Sequence, residues 1–285
     1  MTIAITGATG HLGRLVVSDL LDRGLDPGDI VAAVRSPEKA SDLVERGVQV
    51  RPADYDQPGL WPAALKGVDR LLLISSSEVG SRVPQHRTVI AAAAEAGVGS
   101  VAYTSIIRAA TTGLALAAEH RATEELLAAS GIPHTLLRHS WYLENYTANL
   151  ATYTEHGTIL GTAGSGLVSG ATRADFAAGA AAVLTTDGHV GAVYELGGDP
   201  AFSLADLAAA ASRATGTTIT YTDLPFDEYV AALVAAGLPE PVAQMLADAD
   251  DGIRRGDLHT DTGDLTRLIG RPTTSPQEAF GAAAG

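Results

Sequence analysis

The sequence predicts an α/β fold built on a doubly wound parallel sheet, and three observations predict it. Ile3, Ala4 and Ile5 are an apolar run too short for a helix. Gly7, Gly10 and Gly13 follow at spacings of three, and the amphipathic stretch Leu12, Leu15, Val16, Leu20 and Leu21 begins at once. That succession reads as a strand, a tight glycine turn and a helix. Strand and helix patterns then alternate through the first half of the chain. Finally, the run at residues 70–74 is continuous and apolar, as a strand covered on both faces should be.

Each element follows from its local pattern. Residues 30–34 read as the second strand, and residues 37–46 as a helix opened by Ser36 and Pro37. Residues 48–50 are the third strand and 70–74 the fourth. A helix over 83–96 is closed by Gly97, a fifth strand covers 101–104, a helix over 116–129 is closed by Gly131, and a sixth strand covers 135–138. Repeated βα units of this kind define a Rossmann-type doubly wound parallel sheet, with its ligand crevice at the carboxyl ends of the strands. After Arg138 the rhythm changes. Residues 145–162 show no clear strand, 173–184 form an alanine-rich helix, and 193–196 return once to the sheet. Ser203 caps a helix over 204–214, residues 217–222 are β-rich, and two further helical stretches precede a polar tail whose end, 281–285, is expected to fray. The expected organisation is a dinucleotide-binding domain of residues 1–145 and about 170–200, with a smaller α/β substrate lobe of about 146–169 and 201–285.

Composition removes several classes of function. The 285 residues are 46% hydrophobic and 18% charged, which suits a compact globular chain. A net charge of −14 argues against binding nucleic acid or an anionic membrane, and a bound phosphate must be met by local donors against the overall field. The absence of cysteine excludes disulfides, thiol nucleophiles and thiolate metal sites. A strand at the very start leaves no expectation of a signal peptide, and no apolar run reaches membrane length, so a cytoplasmic protein is expected. His11, His86, His134, His156, His189 and His259 form no H-x-x-x-H or H-E-x-x-H arrangement, so no metal is expected. No G-x-S-x-G is present, and the glycine turn lacks the lysine of a P-loop.

The glycine turn carries the first chemical expectation. Gly7 permits the sharp turn, Gly10 lets a pyrophosphate approach the main chain, and Gly13 lets helix and strand pack closely. Thr9, His11 and Leu12 complete that loop, and the N–H groups at the helix start favour an anion. The second strand ends at Arg35, with no Asp or Glu to hold a ribose hydroxyl. A guanidinium there suits a 2′-phosphate, so NADPH is expected over NADH, with no flavin. Arg14, just inside the first helix, is a second candidate for the phosphates. Ala53, Asp54 and Tyr55 follow the third strand, where an adenine-contacting loop belongs. Ser75, Ser76 and Ser77 follow the fourth, beside the nicotinamide ribose.

The phrases TGATGHLG, AAVRSPEKA, ADYD, LLLISSSEVG, AYTSI, EHRATEELLAASGIPHTLLR, WYLENY and GDLTRLIGRPTT span nearly the whole chain. In them the sequence resembles the atypical short-chain dehydrogenase/reductases of the NmrA-like group, most of all the type 2 NADPH:quinone oxidoreductases. The resemblance implies an oxidoreductase that transfers hydride from NADPH to a quinone or similar planar small-molecule acceptor, with a homodimer allowed. It also implies that Thr104 and His120 attend the cofactor, and that Ser105, His139, Trp141, Tyr142 and Asn145 shape the substrate pocket. His120, in His120-x-x-x-Glu124, and Tyr142 are the catalytic candidates. His139 stands where asparagine is expected in such relatives, and Ser140 where glycine is, which changes size and polarity beside the pocket.

The ordinary Tyr-x-x-x-Lys dyad of short-chain dehydrogenases is absent. The only lysines are Lys39 and Lys66, and neither lies four residues after a tyrosine. A quinone tolerates that loss, because hydride addition gives a hydroquinone anion with its charge spread over a newly aromatic ring. Positioning then supplies most of the catalysis. Two other readings share the cofactor residues. One is a non-catalytic NmrA-like redox sensor that reports NADP(H) to a protein partner. The other is a reductase of a ketone, imine or enone, with His139 and Tyr142 as candidate acids.

Overall fold

A computed structural model describes all 285 residues, and they divide into two compact units. The first holds Met1–Ile106, Ala118–Arg138 and Arg173–Tyr194. The second holds Ile107–Ala117, His139–Thr172 and Glu195–Gly285. Along the chain the elements begin with β1 (Ile3–Thr6), α1 (His11–Asp22), β2 (Ile30–Val34), α2 (Ser41–Glu45) and β3 (Gln49–Pro52). There follow α3 (Trp61–Ala64), β4 (Arg70–Leu73), α4 (Arg82–Glu95), β5 (Ser100–Ile106), α5 (Ala117–Ser130) and β6 (His134–His139). Next come α6 (Glu144–Thr147), α7 (Leu150–His156), β7 (Thr158–Gly161), α8 (Arg173–Thr185) and β8 (Val193–Leu196). The chain finishes with α9 (Leu204–Thr215), β9 (Thr220–Asp223), α10 (Phe226–Ala235), α11 (Glu240–Arg255), α12 (Asp264–Ile269) and α13 (Pro276–Ala284).

The large sheet has seven strands in the order β3-β2-β1-β4-β5-β6-β8, the doubly wound arrangement expected from the sequence. Ile3 pairs with Ile30 on one side and with Arg70 on the other, both in parallel register. Every residue of β1 and β2 is buried, which explains why both read as unbroken apolar runs. Helices flank the sheet because their apolar stripes must meet it. Trp61, Leu65, Leu71, Leu73, Val89 and Tyr103 form part of one such layer. On the other face α1 packs against α8, whose ten residues from Asp175 to Leu184 are all buried, most of them Ala or Gly. Small side chains let these helices approach closely. The strand order reverses between β1 and β4, so the loops after these strands open a crevice at the carboxyl edge.

In the second unit β7 and β9 form a two-stranded parallel sheet, Thr158 opposite Thr220 and Gly161 opposite Asp223. Here the sequence expectation of no strand within 145–162 is corrected. β7 is only four residues long, and its partner lies 62 residues further on. Four helices follow β9, where two were expected. The expected frayed end is instead the last turn of α13, which opens with a Ser275–Glu278 capping box and buries Phe280 completely. The units divide after Arg138, whereas the sequence reading drew the boundary at residue 145. Residues 107–117 belong with the second unit, where the Ile107 amide donates to the His139 carbonyl at 2.8 Å and the Arg108 amide to the Glu195 carboxylate at 2.7 Å.

Candidate functional site

The glycine turn after β1 is built as its spacing requires. Gly7 has φ +58°, and the Gly10 amide donates back to its carbonyl at 2.8 Å. A Cβ on Gly10 would stand 3.1 Å from that oxygen. One on Gly13 would stand 2.7 Å from the Ala8 Cα and closer still to the Gly7 carbonyl, so the first turn of α1 packs directly on the strand exit. Gly10 is the N-cap and has no side chain to cap the helix, which leaves the first-turn amides directed at the crevice. A cavity of about 380 Å³ opens there. It is lined by Gly7, Thr9, Gly10, His11, Leu12, Gly13, Arg35, Tyr55, Ser75, Ser76 and Ser77, and also by Ala53, Trp61, Ile74 and Glu78. An anion-seeking helix start, a glycine cradle and a cation at the rim fit a dinucleotide phosphate.

The walls are fixed by side chains from neighbouring strands. Tyr55 stacks on Trp61 with ring centroids 5.7 Å apart, and the Trp61 indole donates to the Asp54 carbonyl at 2.9 Å. The Tyr55 hydroxyl lies 2.8 Å from Thr6 Oγ1 and 2.9 Å from the Ile74 carbonyl, and burial pushes it up to about 12. It is a strut and no acid. At the opposite wall the Ser75 amide donates to Thr104 Oγ1 at 2.8 Å and the Ser76 amide to His86 Nε2 at 3.0 Å. Arg82 Nε holds the Ser76 carbonyl at 2.7 Å while its guanidinium pairs with Glu119 at 3.3 Å. Because His86 Nε2 accepts, its Nδ1 carries the proton and donates to Thr123 Oγ1 at 2.9 Å. Burial, reinforced by Arg82, holds His86 down to about 3, so it stays neutral.

Four expected cofactor residues stand elsewhere than the cavity wall. The Asp54 carboxylate accepts from the Asp56 amide and from Gln57, bracing its own loop. Thr104 is buried beneath the serine loop, and buried His120 has its Nδ1 2.8 Å from the Tyr103 hydroxyl. Arg14 is engaged by Asp42 and by the carbonyls of Thr9 and Lys39. Ser105 donates to Glu124 at 2.6 Å, and Arg138 grips the same carboxylate with both Nε and Nη2, at 2.9 and 2.7 Å. Residues the sequence does not single out are Trp61, Ile74 and Glu78 on the wall and the braces His86 and Arg82. Only the fold brings them there.

The remaining candidates belong to the second unit. His139 is buried, with its Nδ1 3.3 Å from the Tyr142 hydroxyl, and the two rings meet edge to face. Burial depresses His139 to about 3, so its imidazole is neutral. Half-buried Trp141 accepts the Ala171 amide on its carbonyl at 3.0 Å, and the Asn145 amide donates to the Tyr142 carbonyl at 3.1 Å. These bonds fix the turn that carries Trp141, Tyr142 and Asn145. No cluster of three or more His, Asp or Glu gathers that could hold a metal, and no helix is long and apolar enough to cross a membrane.

Strand order, glycine cradle and crevice define a dinucleotide-binding α/β protein. Residues 7–187 match the model of the NAD(P)H-binding family. Quinone oxidoreductase 2 of Escherichia coli is 50% identical over 277 residues, covering 97% of this chain and 96% of that protein. The crystal structure of the Escherichia coli NADPH-dependent quinone oxidoreductase complexed with NADPH superposes with a TM-score of 0.96 at 50% identity, over 99% of both chains. The triphenylmethane reductase of Citrobacter sp. complexed with NADP(H) gives a TM-score of 0.95 at 38% identity, over 99% of this chain and 100% of that one. The chain belongs to the NAD(P)H-binding family.

Proposed function

We propose that this protein is an NADPH-dependent oxidoreductase that reduces a quinone or similar planar acceptor. The observation that carries the reading is the glycine-floored cleft at the strand-order reversal with Arg35 on its rim, in a chain half identical to a quinone oxidoreductase along its length. Bound NADPH would supply the hydride. Gly7, Gly10, Gly13 and the first-turn amides of α1 bind the pyrophosphate, and Arg35 takes the 2′-phosphate. The Tyr55–Trp61 stack and the serine loop would hold the two ends of a bound dinucleotide.

The acceptor needs two electrons as hydride and one proton, and leaves as the hydroquinone. His120, oriented by Tyr103, is the proposed proton-handling group, and Trp141, Tyr142 and Asn145 are proposed to shape the acceptor pocket. Neutral His139 does not supply an acid near pH 7, which weakens the ketone-reductase reading relative to the quinone one.

The test is the initial rate of NADPH oxidation with a small para-quinone, against the same mixture without protein. Saturable turnover above background, and slower turnover with NADH, is expected. Tight NADPH binding with no turnover on any quinone would refute the quinone reading and favour a sensor or a reductase of a different electrophile.

A further inference from the structure

We propose that Glu78 sets cofactor preference by competing with the 2′-phosphate for Arg35. The proposal rests on Arg35 being the phosphate clamp and adds the residue that opposes it. The sequence offers no acid at the end of β2, yet the fold brings one there from the loop after β4, 43 residues on. Glu78 Oε1 lies 3.1 Å from Arg35 Nη1, and both residues line the cleft.

This carboxylate is held in place. Its Oε2 accepts from Gln85 Nε2 at 2.8 Å, and its own amide donates to Ser76 Oγ at 3.2 Å. Gln85 is 3% exposed, so the amide that grips Glu78 is itself fixed in the protein. Its Nε2 also reaches the Asp56 carboxylate at 3.3 Å, which puts a second acid behind the first. A ligand phosphate approaching Arg35 therefore meets a guanidinium already engaged and a neighbouring charge of its own sign. NADH, with a hydroxyl at that carbon, meets neither obstacle.

An exposed ion pair is weak by itself, because water screens it and two long side chains must be ordered. The effect here comes from placing an anchored monoanion beside a doubly charged phosphate at the rim of the cleft. That geometry weakens phosphate binding by about fivefold at low salt and by less at high salt. Glu78→Gln keeps the shape and the hydrogen bond from Gln85 while removing the charge.

The experiment is equilibrium binding, by calorimetry, of NADPH, NADH and adenosine 2′,5′-bisphosphate to the wild type, Glu78→Gln and Arg35→Ala proteins at low and high salt. Glu78→Gln is expected to tighten both 2′-phosphorylated ligands about fivefold at low salt and to leave NADH within twofold, which also reports an intact fold. Unchanged or weaker binding of the phosphorylated ligands to Glu78→Gln overturns the inference. Should Arg35→Ala collapse the NADPH-to-NADH affinity ratio while Glu78→Gln leaves it unmoved, only the role of Glu78 falls. If Arg35→Ala leaves the ratio intact, the clamp reading falls and takes this one with it.

Discussion

Asp250 offers a direct test of how burial governs stability in the second unit. It sits on α11, 5% exposed, and its Oδ2 accepts the Thr162 amide at 3.1 Å. Burial is the main force pushing its carboxyl from 3.8 up to about 7, with Asp223 adding to the rise while the Thr162 amide and Arg254 oppose it. The surrounding tyrosines, Tyr146, Tyr153, Tyr221 and Tyr229, are raised as well, burial again leading in each. Between pH 3.8 and about 7 the unfolded chain has lost this proton and the folded chain keeps it. Stability therefore falls as pH rises through that window and levels off above it. At about 1.4 kcal/mol per decade, the interval amounts to an upper bound of about 4 kcal/mol at pH 8, against less than about 1 kcal/mol at pH 4. Asp250→Asn retains a carbonyl for the Thr162 amide and cannot ionise. Urea unfolding of both proteins at pH 4 and pH 8 should show the stability difference shifting by several kcal/mol in favour of the variant at the higher pH. A difference that stays constant to within about 1 kcal/mol would refute the argument that the buried carboxyl gives up its proton at a cost.

Gly13→Ala forces a methyl group against the backbone of Gly7 and Ala8. It should cost at least about 2 kcal/mol in thermal or urea unfolding and weaken NADPH binding in the same samples. His86→Leu leaves the Ser76 amide without its acceptor and should destabilise by about 1–3 kcal/mol at pH 7. Because wild-type His86 is neutral down to about 3 and the unfolded imidazole protonates near 6.5, the wild type loses stability on acidification. The gap to the variant should therefore narrow between those values. His120→Ala should lower kcat with a para-quinone about tenfold or more if it handles the proton, with the loss varying with pH. An unchanged pH–rate profile would remove it from that role. Tyr142→Phe should cost less than about tenfold on a quinone, and a loss beyond a hundredfold would point to ketone-type chemistry.

What the sequence disclosed was whatever depends on near neighbours. Ile3 to Leu21 contains strand, turn and helix in one stretch, and the glycine roles at Gly7, Gly10 and Gly13 follow from spacing alone. Arg35 is legible as a cleft residue because it directly follows β2, the strand that pairs beside β1. Glu78 is not, since it reaches Arg35 only after β4 has paired beside β1. The same reason hid β7, whose four residues become a strand only against β9. The helix at the chain end is a different kind of miss. Ser275, Pro276 and Glu278 already spelled a capped start, and the alanines and glycines beyond them masked it. Thr104 and His120 are a harder case, because strand β5 and helix α5 turn both inward, where they meet Ser75 and Tyr103.

The serine loop after β4 carries one more lesson, about what a bound molecule can sense. With the Ser75 and Ser76 amides committed to Thr104 and His86, and the Ser76 hydroxyl accepting from the Glu78 amide, this edge turns toward a guest chiefly the Ser75 and Ser77 hydroxyls, which swivel. A hydroxyl turns from giving to accepting at almost no cost. The glycine cradle across the cleft is rigid and suits negative charge, whereas the serine edge, where the nicotinamide is proposed to lie, would accommodate a ring that changes its own charge and shape during a turnover. The two sides of the cleft thus divide the labour between holding a molecule and letting it change.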